Sequence, residues 1–440
     1  MLFGLGASDP AKGIEKKMRN NCPFIHRMNI LMIGYIFLLV VTGCVNSTAP
    51  AHPATLLPSL YTLNQNGLIE SIQADGKLHW QYDASNDNTQ AQDQLALIGS
   101  TMYVAMNALL AIATTTGKLL WRQPLPDAAS ALLVNGPTIY VATQDNHVFA
   151  LSAHDGSLLW QQGVQAGGFA PINQLVLASS LLLVSEGSQV IALSVSNGKQ
   201  QWANADPGPG EIIRKLWPDG GNVVVQADAS VEALRVSDGK QLWKQDIAIR
   251  AMNILQDTLY AVFQPTSANL SDPTGICALR VGDGTRLWQA LTPVGADGSG
   301  SITSDGIYWE NTTILTAWSL DGRQRWQLPM INQITTMTTQ AGQVFAATNQ
   351  GEIVSIDNQN GKMQWHTDRA ADHLQVQGQY LWATQSQDKF GALVGLDTKS
   401  GQVRWNITAG GPVAQFAVIQ CTSKESCAVE YGLPRRGCAL

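Results

Sequence analysis

The sequence predicts an all-β fold made of a four-stranded unit that repeats along the chain. Three observations predict it. A Gly-x-x-x-Trp motif occurs nine times among the 440 residues. Its tryptophans recur every 38 to 45 residues, a spacing that is typical of repeat proteins. Between them, short apolar runs alternate with turn residues, and no segment keeps a helical period for long.

A single repeat shows how four strands fill one period. The interval 122–162 contains the β-branched and apolar runs ASALLV, TIYVATQ, HVFALSA and SLLWQQ. The turn residues NG, DN and DG separate these runs, because Gly, Asn and Asp favour the backbone of tight turns. The same order recurs with TMYVAMN, TLYAVFQ, QVFAATN and YLWATQS as second strands. Each period therefore predicts one antiparallel sheet of four strands.

The motif itself predicts how these sheets pack. Its glycine is expected at positive φ in the turn between the third and fourth strands, where glycine carries no steric cost. The tryptophan four residues later then lies on a fixed face of the fourth strand. One such sheet cannot bury both of its faces, so the sheets should stack around an axis as a β-propeller, with each indole against the neighbouring sheet. The structural repeat residues are Gly76, Trp80, Gly117, Trp121, Gly156, Trp160, Gly198, Trp202, Gly239, Trp243, Gly284, Trp288, Gly322, Trp326, Gly361, Trp365, Gly401 and Trp405.

Composition excludes two classes of protein. Charged residues make up only 14% of the chain and the formal net charge is −6. A chain this apolar buries a large core, so it is not a disordered protein. An acidic surface repels the phosphate backbone, so nucleic acid is not expected as a partner.

The N-terminal segment is interpreted as a targeting signal. Several lysines and arginines precede an uncharged run at 30–41, which is shorter than a membrane-spanning helix. Thr42 and Gly43 then precede Cys44, and this pattern resembles the bacterial lipobox, in which the cysteine is acylated. A plain secretion signal is the alternative. The translation start is open among Met1, Met18 and Met28.

The predicted domain organisation follows from these segments. Residues 1–43 are a signal peptide of lipoprotein type, and 44–58 are a tether rich in small residues and proline. Residues 59–420 form the propeller, and 421–440 form a C-terminal tail that contains cysteines. The expected location is extracytoplasmic, on a membrane through the lipid on Cys44, or secreted if that cysteine is not acylated.

The remaining cysteines predict no metal site. Cys277 lies in an apolar strand and is expected to be a buried structural thiol. Cys421, Cys427 and Cys438 lie in the tail, where a Cys421–Cys427 disulfide would leave one thiol over. No histidine stands near these three in sequence, as a zinc site would require.

Aspartates and additional aromatic residues were weighed as site candidates. Aspartates precede five of the motif glycines and are predicted to be turn residues rather than catalytic groups. They are Asp75, Asp155, Asp238, Asp283 and Asp321. Trp309 and Trp382 stand in second strands, where blade packing competes with a role as a binding platform. Trp217 is predicted to lie on a loop and is the candidate for an exposed contact.

The extended pattern resembles a known repeat. Ala-Leu-x4-Gly-x3-Trp stands at 150–160, 192–202, 233–243 and 278–288, with close variants elsewhere. This is similar to the pyrroloquinoline-quinone-type propeller repeat, and the resemblance covers about residues 59–408. A count of strands gives nine blades, with 412–420 as the missing innermost strand of the first. The family usually closes with eight blades, so the resemblance favours eight and nine is the alternative.

The resemblance does not bring the cofactor with it. Quinoprotein dehydrogenases of this fold carry adjacent cysteines, a catalytic Asp, and Glu and Asn ligands for Ca²⁺. This chain has no Cys-Cys pair, and no residue could be matched to those roles. The Asp- and Gly-rich segment 295–306 lacks the glycine and glutamate positions of an EF-hand. Catalytic, quinone-binding and metal-binding residues are therefore not predicted, although quinone and Ca²⁺ stay open.

The resemblance and the targeting signal together predict a non-catalytic binding or scaffold propeller, tethered to a bacterial membrane. It is similar to the propeller lipoproteins that assist the assembly of outer-membrane barrels. Its partner is expected to be another protein or a component of the cell envelope, bound through blade loops. The alternative, from a different class, is a quinone-dependent dehydrogenase whose site residues are not recognised.

Overall fold

A computed structural model describes residues 59–73, 76–87, 94–164, 171–205, 211–264, 274–291, 300–311, 314–340, 342–387, 390–408, 413–423 and 426–432. The predicted signal peptide, Cys44 and the tether lie outside these ranges. Within the described ranges, the one helical element is a 3-10 turn at Ser85–Asp87, and no helix reaches the length and hydropathy of a membrane span.

The described chain folds into nine antiparallel sheets, which are the blades of a β-propeller. Blade 1 contains β1 (Ser59–Asn64), β2 (Leu68–Ile72) and β3 (Leu78–Asp83). Blade 2 contains β4 (Gln94–Ile98), β5 (Thr101–Ala105), β6 (Ala108–Ala113) and β7 (Leu119–Pro124). Blade 3 contains β8 (Ala129–Asn135), β9 (Thr138–Thr143), β10 (His147–Ser152) and β11 (Leu158–Gly163). Blade 4 contains β12 (Ile172–Ala178), β13 (Leu181–Glu186), β14 (Gln189–Ser194) and β15 (Gln200–Ala205). Blade 5 contains β16 (Ile213–Asp219), β17 (Asn222–Ala227), β18 (Val231–Arg235) and β19 (Gln241–Gln245). Blade 6 contains β20 (Ala248–Leu255), β21 (Thr258–Gln264), β22 (Gly275–Arg280) and β23 (Arg286–Leu291). Blade 7 contains β24 (Gly300–Thr303), β25 (Gly306–Asn311), β26 (Ile314–Trp318) and β27 (Gln324–Pro329). Blade 8 contains β28 (Ile334–Gln340), β29 (Gln343–Thr348), β30 (Ile353–Asp357) and β31 (Met363–Thr367). Blade 9 contains β32 (His373–Gln377), β33 (Tyr380–Gln387), β34 (Phe390–Asp397) and β35 (Val403–Thr408). The last two strands, β36 (Val413–Ser423) and β37 (Ser426–Gly432), return to blade 1.

Each of blades 2 to 9 is a meander in which the strands pair in chain order. The first strands of successive blades lie beside one another, so they line the centre, and the fourth strands lie outermost. The core fills the spaces between blades, as where Val148 and Ala150 of blade 3 pack against Leu182 and Val184 of blade 4. All of these residues are buried because alternate side chains of a strand face opposite neighbours. The all-β propeller prediction is confirmed.

Blade 1 combines strands from two distant parts of the chain. β1, β2 and β3 supply three strands, and β36 pairs antiparallel with β1, with Leu60 opposite Val418. β37 pairs with the other side of β36, so this sheet has five strands. The blade count is nine, as the strand count allowed, and not the eight that the family resemblance favoured. The pairing also continues to Gly432, beyond the predicted propeller limit at 420.

A bulge explains why a small residue recurs opposite the tryptophan. In blade 3, Ala150 faces Trp160, whereas Leu151 faces Leu158, so Leu159 is an extra residue in the outer strand. The same register shift occurs in all nine blades. The residue that faces the tryptophan is Ala, Ser or Gly in each case, since a large indole leaves room only for a small cross-strand partner.

The turn before each tryptophan has two lengths. In blade 2, the Gly117 N–H donates to the carbonyl oxygen of Ala113, at 2.8 Å. Blades 1 and 7 have one residue fewer in the motif, and there the N–H of Gly76 or Gly322 donates to the carbonyl three residues earlier instead of four. The motif glycine lies at positive φ in all nine turns.

Candidate functional site

The motif tryptophan of one blade lies on the motif glycine of the next. Trp160 of blade 3 donates its Nε1–H to the carbonyl oxygen of Val195 in blade 4, at 2.9 Å. A Cβ atom added to Gly198 would come within 2.5 Å of the Trp160 ring. Glycine is therefore required twice at this position, by its φ of 71° and by the indole above it. We call this contact the indole seat.

Eight junctions have an indole seat. The Nε1-to-oxygen distances in these junctions run from 2.6 to 3.3 Å. An added Cβ on the seat glycine would lie 2.5 to 2.8 Å from the indole. The pairs are Trp80 on Gly117, Trp121 on Gly156, Trp160 on Gly198, Trp202 on Gly239, Trp243 on Gly284, Trp288 on Gly322, Trp326 on Gly361 and Trp365 on Gly401.

The ninth junction, from blade 9 to blade 1, is different. A Cβ atom added to Gly76 would meet no described atom within 4 Å. Trp405 instead stacks on Trp382 of its own blade, with ring centroids 5.3 Å apart and planes 15° apart. The Tyr380 ring also contacts Trp405 edge-on, with ring centroids 4.2 Å apart. We call this ninth junction the closing seam.

The other tryptophans singled out from the sequence are packing residues rather than exposed contacts. Trp309 and Trp382 are buried in the second strands of blades 7 and 9. The loop prediction for Trp217 was wrong, because this residue lies in β16, the first strand of blade 5. Its ring is half-buried against the core of blades 5 and 6, and the Lys215 Nζ lies 4.0 Å from the ring centroid.

The motif aspartates hold turns. Asp155 accepts hydrogen bonds from the Ser157 hydroxyl, at 2.8 Å, and from the Ser157 backbone N–H, at 3.1 Å. These bonds lower the pKa of Asp155 to about 2. The pKa values of Asp238, Asp283 and Asp321 are also lowered by hydrogen bonds within their own turns. Asp75 lies outside the described residues.

The thiol and the Asp-rich segment also take structural places. Cys277 lies buried in β22, and desolvation raises its pKa to about 11, so its thiolate is disfavoured. Of the segment 295–306, the described part from residue 300 is strand β24 and the turn that leads to β25.

The described residues do not fit a quinone with Ca²⁺. That group needs several oxygen ligands converging beside an aromatic surface. In the part of the chain that the structure describes, no three His, Cys, Asp or Glu side chains lie close enough to hold a metal ion. Eight of the nine motif indoles have one face covered by the motif glycine of the next blade.

A cleft of about 510 Å³ opens between blades 2 and 3. Its floor is apolar, because Phe149 and Leu151 of β10 face blade 2 and are almost fully buried. Its walls are Pro124-Leu125-Pro126, the segment that leaves β7, and Leu158 of β11. Leu158 is 51% exposed, and Leu78 and Met363 are similarly exposed at the same position of the outer strand in blades 1 and 8.

The polar rim of the cleft is held rigidly. His147 Nδ1 lies 3.1 Å from a carboxylate oxygen of Asp145, and the Thr143 hydroxyl donates to the other oxygen at 2.5 Å. Between them, Asn146 adopts a left-handed φ of 63°, and its amide donates to Glu186 of blade 4 at 2.8 Å. These bonds fix the turn, so the imidazole and the carboxylate keep their places at one end of the cleft.

This arrangement suits binding rather than chemistry. It offers an apolar floor, an exposed leucine and a preformed polar end, which together match the usual composition of a binding pocket. Sequence reasoning missed the cleft. The signals were the aromatic Phe149 at a position where no other repeat has an aromatic residue, and the Pro-Leu-Pro segment between two blades, but their meeting depends on how neighbouring blades pack.

Comparison with known proteins gives consistent matches. The family described as "Outer membrane protein assembly factor BamB" matches residues 65–209, 165–305 and 276–415. The BamB assembly factor of Moranella endobia (strain PCIT) is 25% identical over 155 residues, which cover 31% of this chain and 39% of the relative. That of Salmonella typhimurium (strain LT2) is 23% identical over 167 residues, which cover 36% of this chain and 40% of the relative. The matches thus span about two fifths of these relatives.

The solved structures that match this chain share little sequence with it. BamB from Moraxella catarrhalis has a TM-score of 0.48 and 16% identity, over 66% of this chain and 90% of that one. A europium-containing methanol dehydrogenase has a TM-score of 0.47 and 13% identity, over 67% of this chain and 82% of that one. The family match, in contrast, runs through nearly every blade, from residue 65 to residue 415. With its nine Gly-x-x-x-Trp turns and its meander blades, this chain belongs to the outer membrane protein assembly factor BamB family.

Proposed function

We propose that this chain is a non-catalytic scaffold of the bacterial cell envelope, which takes part in outer membrane protein assembly by holding a protein partner. The observation that carries the proposal is the family match over residues 65–415, since its relatives are named as outer membrane protein assembly factors. The acylation motif at Cys44 supports an extracytoplasmic, lipid-anchored location.

The cleft between blades 2 and 3 is the proposed contact surface for that partner. Its floor of Phe149 and Leu151 gives apolar area, and the pair Asp145 and His147 gives hydrogen-bonding groups at one end. A short apolar stretch of a partner, with a polar group at one side, fits these features. Leu158 would gain burial on binding, because it is 51% exposed in the protein alone.

Crosslinking tests the contact surface. A photo-reactive residue in place of Leu158 should crosslink to an envelope protein in cells, and Leu158→Arg should abolish co-purification of that protein. Leu159 is a matched control, because it is 54% exposed, adjacent in the chain and absent from the cleft lining. Equal crosslinking from positions 158 and 159, or equal effects of Leu158→Arg and Leu159→Arg, would contradict the assignment of the cleft.

Fractionation tests the anchor. Cys44→Ser removes the acylation site, so the protein should move from the membrane fraction to the soluble extracytoplasmic fraction. Membrane retention of the Cys44→Ser variant would instead favour the uncleaved segment 30–41 as the anchor.

The alternative function, a quinone-dependent dehydrogenase, has a direct test. The purified protein is mixed with pyrroloquinoline quinone and Ca²⁺, and its absorption spectrum and dye reduction with alcohols or sugars are recorded. We expect neither stoichiometric uptake nor turnover. Substrate-dependent dye reduction would overturn the scaffold proposal.

A further inference from the structure

Two cysteines occupy opposed backbone positions in the last pair of strands. β36 and β37 are antiparallel, and their register places Cys421 opposite Cys427. Opposed residues of an antiparallel pair have Cα atoms about 4.5 to 5.5 Å apart. This spacing lies within the range of about 4.4 to 6.8 Å that disulfides span. We propose that Cys421 and Cys427 form a disulfide that fastens the strand pair closing the propeller.

The location gives the bond a purpose. β36 is the strand that closes blade 1 by pairing with β1, and β37 lies next to β32, the first strand of blade 9. This strand pair therefore reaches across the closing seam. The seam is also the junction where Trp405 does not sit on Gly76. A covalent link between β36 and β37 would hold together the strand pair at this seam, which is the one junction of the described blades without an indole seat.

The other described cysteine does not compete for the bond. Cys277 is buried in β22 in blade 6, and desolvation disfavours the thiolate that disulfide exchange needs. Cys438 is close to Cys427 in sequence and lies outside the described residues, so it is the alternative partner that the experiment must distinguish.

The reaction is an ordinary thiol–disulfide exchange. The two cysteine thiols lose two protons and two electrons as the S–S bond forms, and the disulfide of an oxidoreductase or of oxidised glutathione is reduced to two thiols. In the cell, this oxidant is available in the extracytoplasmic location of the proposed function, on which the inference rests to that extent. In the test tube, glutathione supplies it whether or not the proposed function is right.

Peptide mapping gives a direct test. The full-length protein is equilibrated with oxidised and reduced glutathione, its free thiols are blocked with N-ethylmaleimide, and it is digested with trypsin. Cleavage after Arg404, Lys424, Arg435 and Arg436 places Cys421, Cys427 and Cys438 in three different peptides. We expect peptide 405–424 to be linked to peptide 425–435, and the link to disappear on reduction.

The variants make the result decisive. Cys438→Ser should keep the link between 405–424 and 425–435, and Cys427→Ser should abolish it. A link from either peptide to 437–440, or full blocking of all three thiols under oxidising conditions, would overturn the proposal. Capture of a protein partner by the Leu158 crosslinker would be unaffected, so failure here is distinguishable from failure of the proposed function.

A second measurement tests the effect on the ring. Reduction should lower the midpoint of thermal unfolding of the wild-type protein by about 2 °C, because the link restricts the unfolded chain. The Cys421→Ser variant should start at the lower midpoint and show no further shift on reduction. Equal shifts in the two proteins would mean that the link does not hold the closing strands.

Discussion

Two junctions on either side of blade 9 differ in how they are held. Between blades 8 and 9, Trp365 lies on Gly401 and donates to the Thr398 carbonyl oxygen at 2.9 Å. At the closing seam, the last motif tryptophan, Trp405, stacks within its own blade. The ring closes there because β36, which follows blade 9 in the chain, pairs with β1 in blade 1. Side chains pack across both junctions, as Leu60 and Ile72 of blade 1 do with Trp382 of blade 9. The closing seam differs in having no indole seat and in using a sheet built from two distant parts of the chain.

The largest expected difference between the two kinds of junction concerns the tryptophans themselves. Trp160→Ala should lower the free energy of unfolding by about 3–5 kcal/mol, because it leaves a cavity above Gly198 and an unpaired carbonyl at Val195. Trp405→Ala should lower the free energy of unfolding by about 1–2 kcal/mol less than Trp160→Ala, because the Trp405 indole is half-buried and does not cover Gly76. Urea unfolding of the two variants measures the difference, and equal costs would contradict a special role for the indole seats.

The glycines give the next largest difference. Gly117→Ala should cost about 2–4 kcal/mol, from the left-handed backbone and from a Cβ within 2.7 Å of the Trp80 ring. Gly76→Ala should cost about 1–2 kcal/mol, since it meets only the backbone penalty. Lys118→Ala, an exposed neighbour, is the control and should stay within about 0.5 kcal/mol of the wild type. If thermal unfolding showed the two glycine variants to be equally unstable, the clash with the indole would not be the cause.

A smaller effect isolates the hydrogen bond. Trp243→Phe keeps most of the ring but removes the bond from Nε1 to the Val281 carbonyl, which is 2.6 Å long. We expect a loss of about 1–2 kcal/mol, from the missing bond and the smaller ring. Trp405→Phe should change stability less. Hydrogen exchange at the blade 6 turn, measured by mass spectrometry, should speed up in the first variant, and unchanged exchange there would count against the bond.

The smallest expected effect is the acid sensitivity of a seat turn. Ser157 lowers the pKa of Asp155 to about 2, below its usual 3.8, so the ionised carboxylate stabilises the turn that carries Gly156. This contribution is present above about pH 4 and is lost as the pH falls toward 2. Asp155→Asn should therefore flatten the dependence of the unfolding midpoint on pH between about 4 and 2, and an unchanged pH dependence would contradict the role of the carboxylate.

Much of this architecture could be predicted from local patterns. The strand order within each blade and the positive φ of the motif glycines depend on neighbours in sequence, so they could be inferred correctly. The closing role of 412–420 also followed, because the first blade lacked an inner strand. The blade number was harder, since the family resemblance favoured eight where the ring has nine.

What the sequence did not reveal depends on contacts between blades. Position 117 also needs glycine because the indole of Trp80 lies over it, and this contact can be seen only when the position of the previous blade is known. Trp382 stands where most other second strands have a tyrosine or phenylalanine, and those rings lie tilted on the motif tryptophan of their own blade, whereas Trp382 and Trp405 are stacked. Trp217 stands in the sequence KLWPDGG, which is typical of a loop, but β16 is a first strand with one free edge, which tolerates Pro218.

The shared sheet of blade 1 sets an order of events during folding. Blades 2 to 9 each contain consecutive strands, so each can form from one continuous segment of the chain. Blade 1 can be completed only when Val413–Ser423 is available, and β1 keeps an unpaired edge until then. An exposed strand edge invites pairing with other chains. The interval before β36 pairs with β1 is therefore the period in which the folding protein is most exposed to aggregation, and in which a chaperone would be most useful.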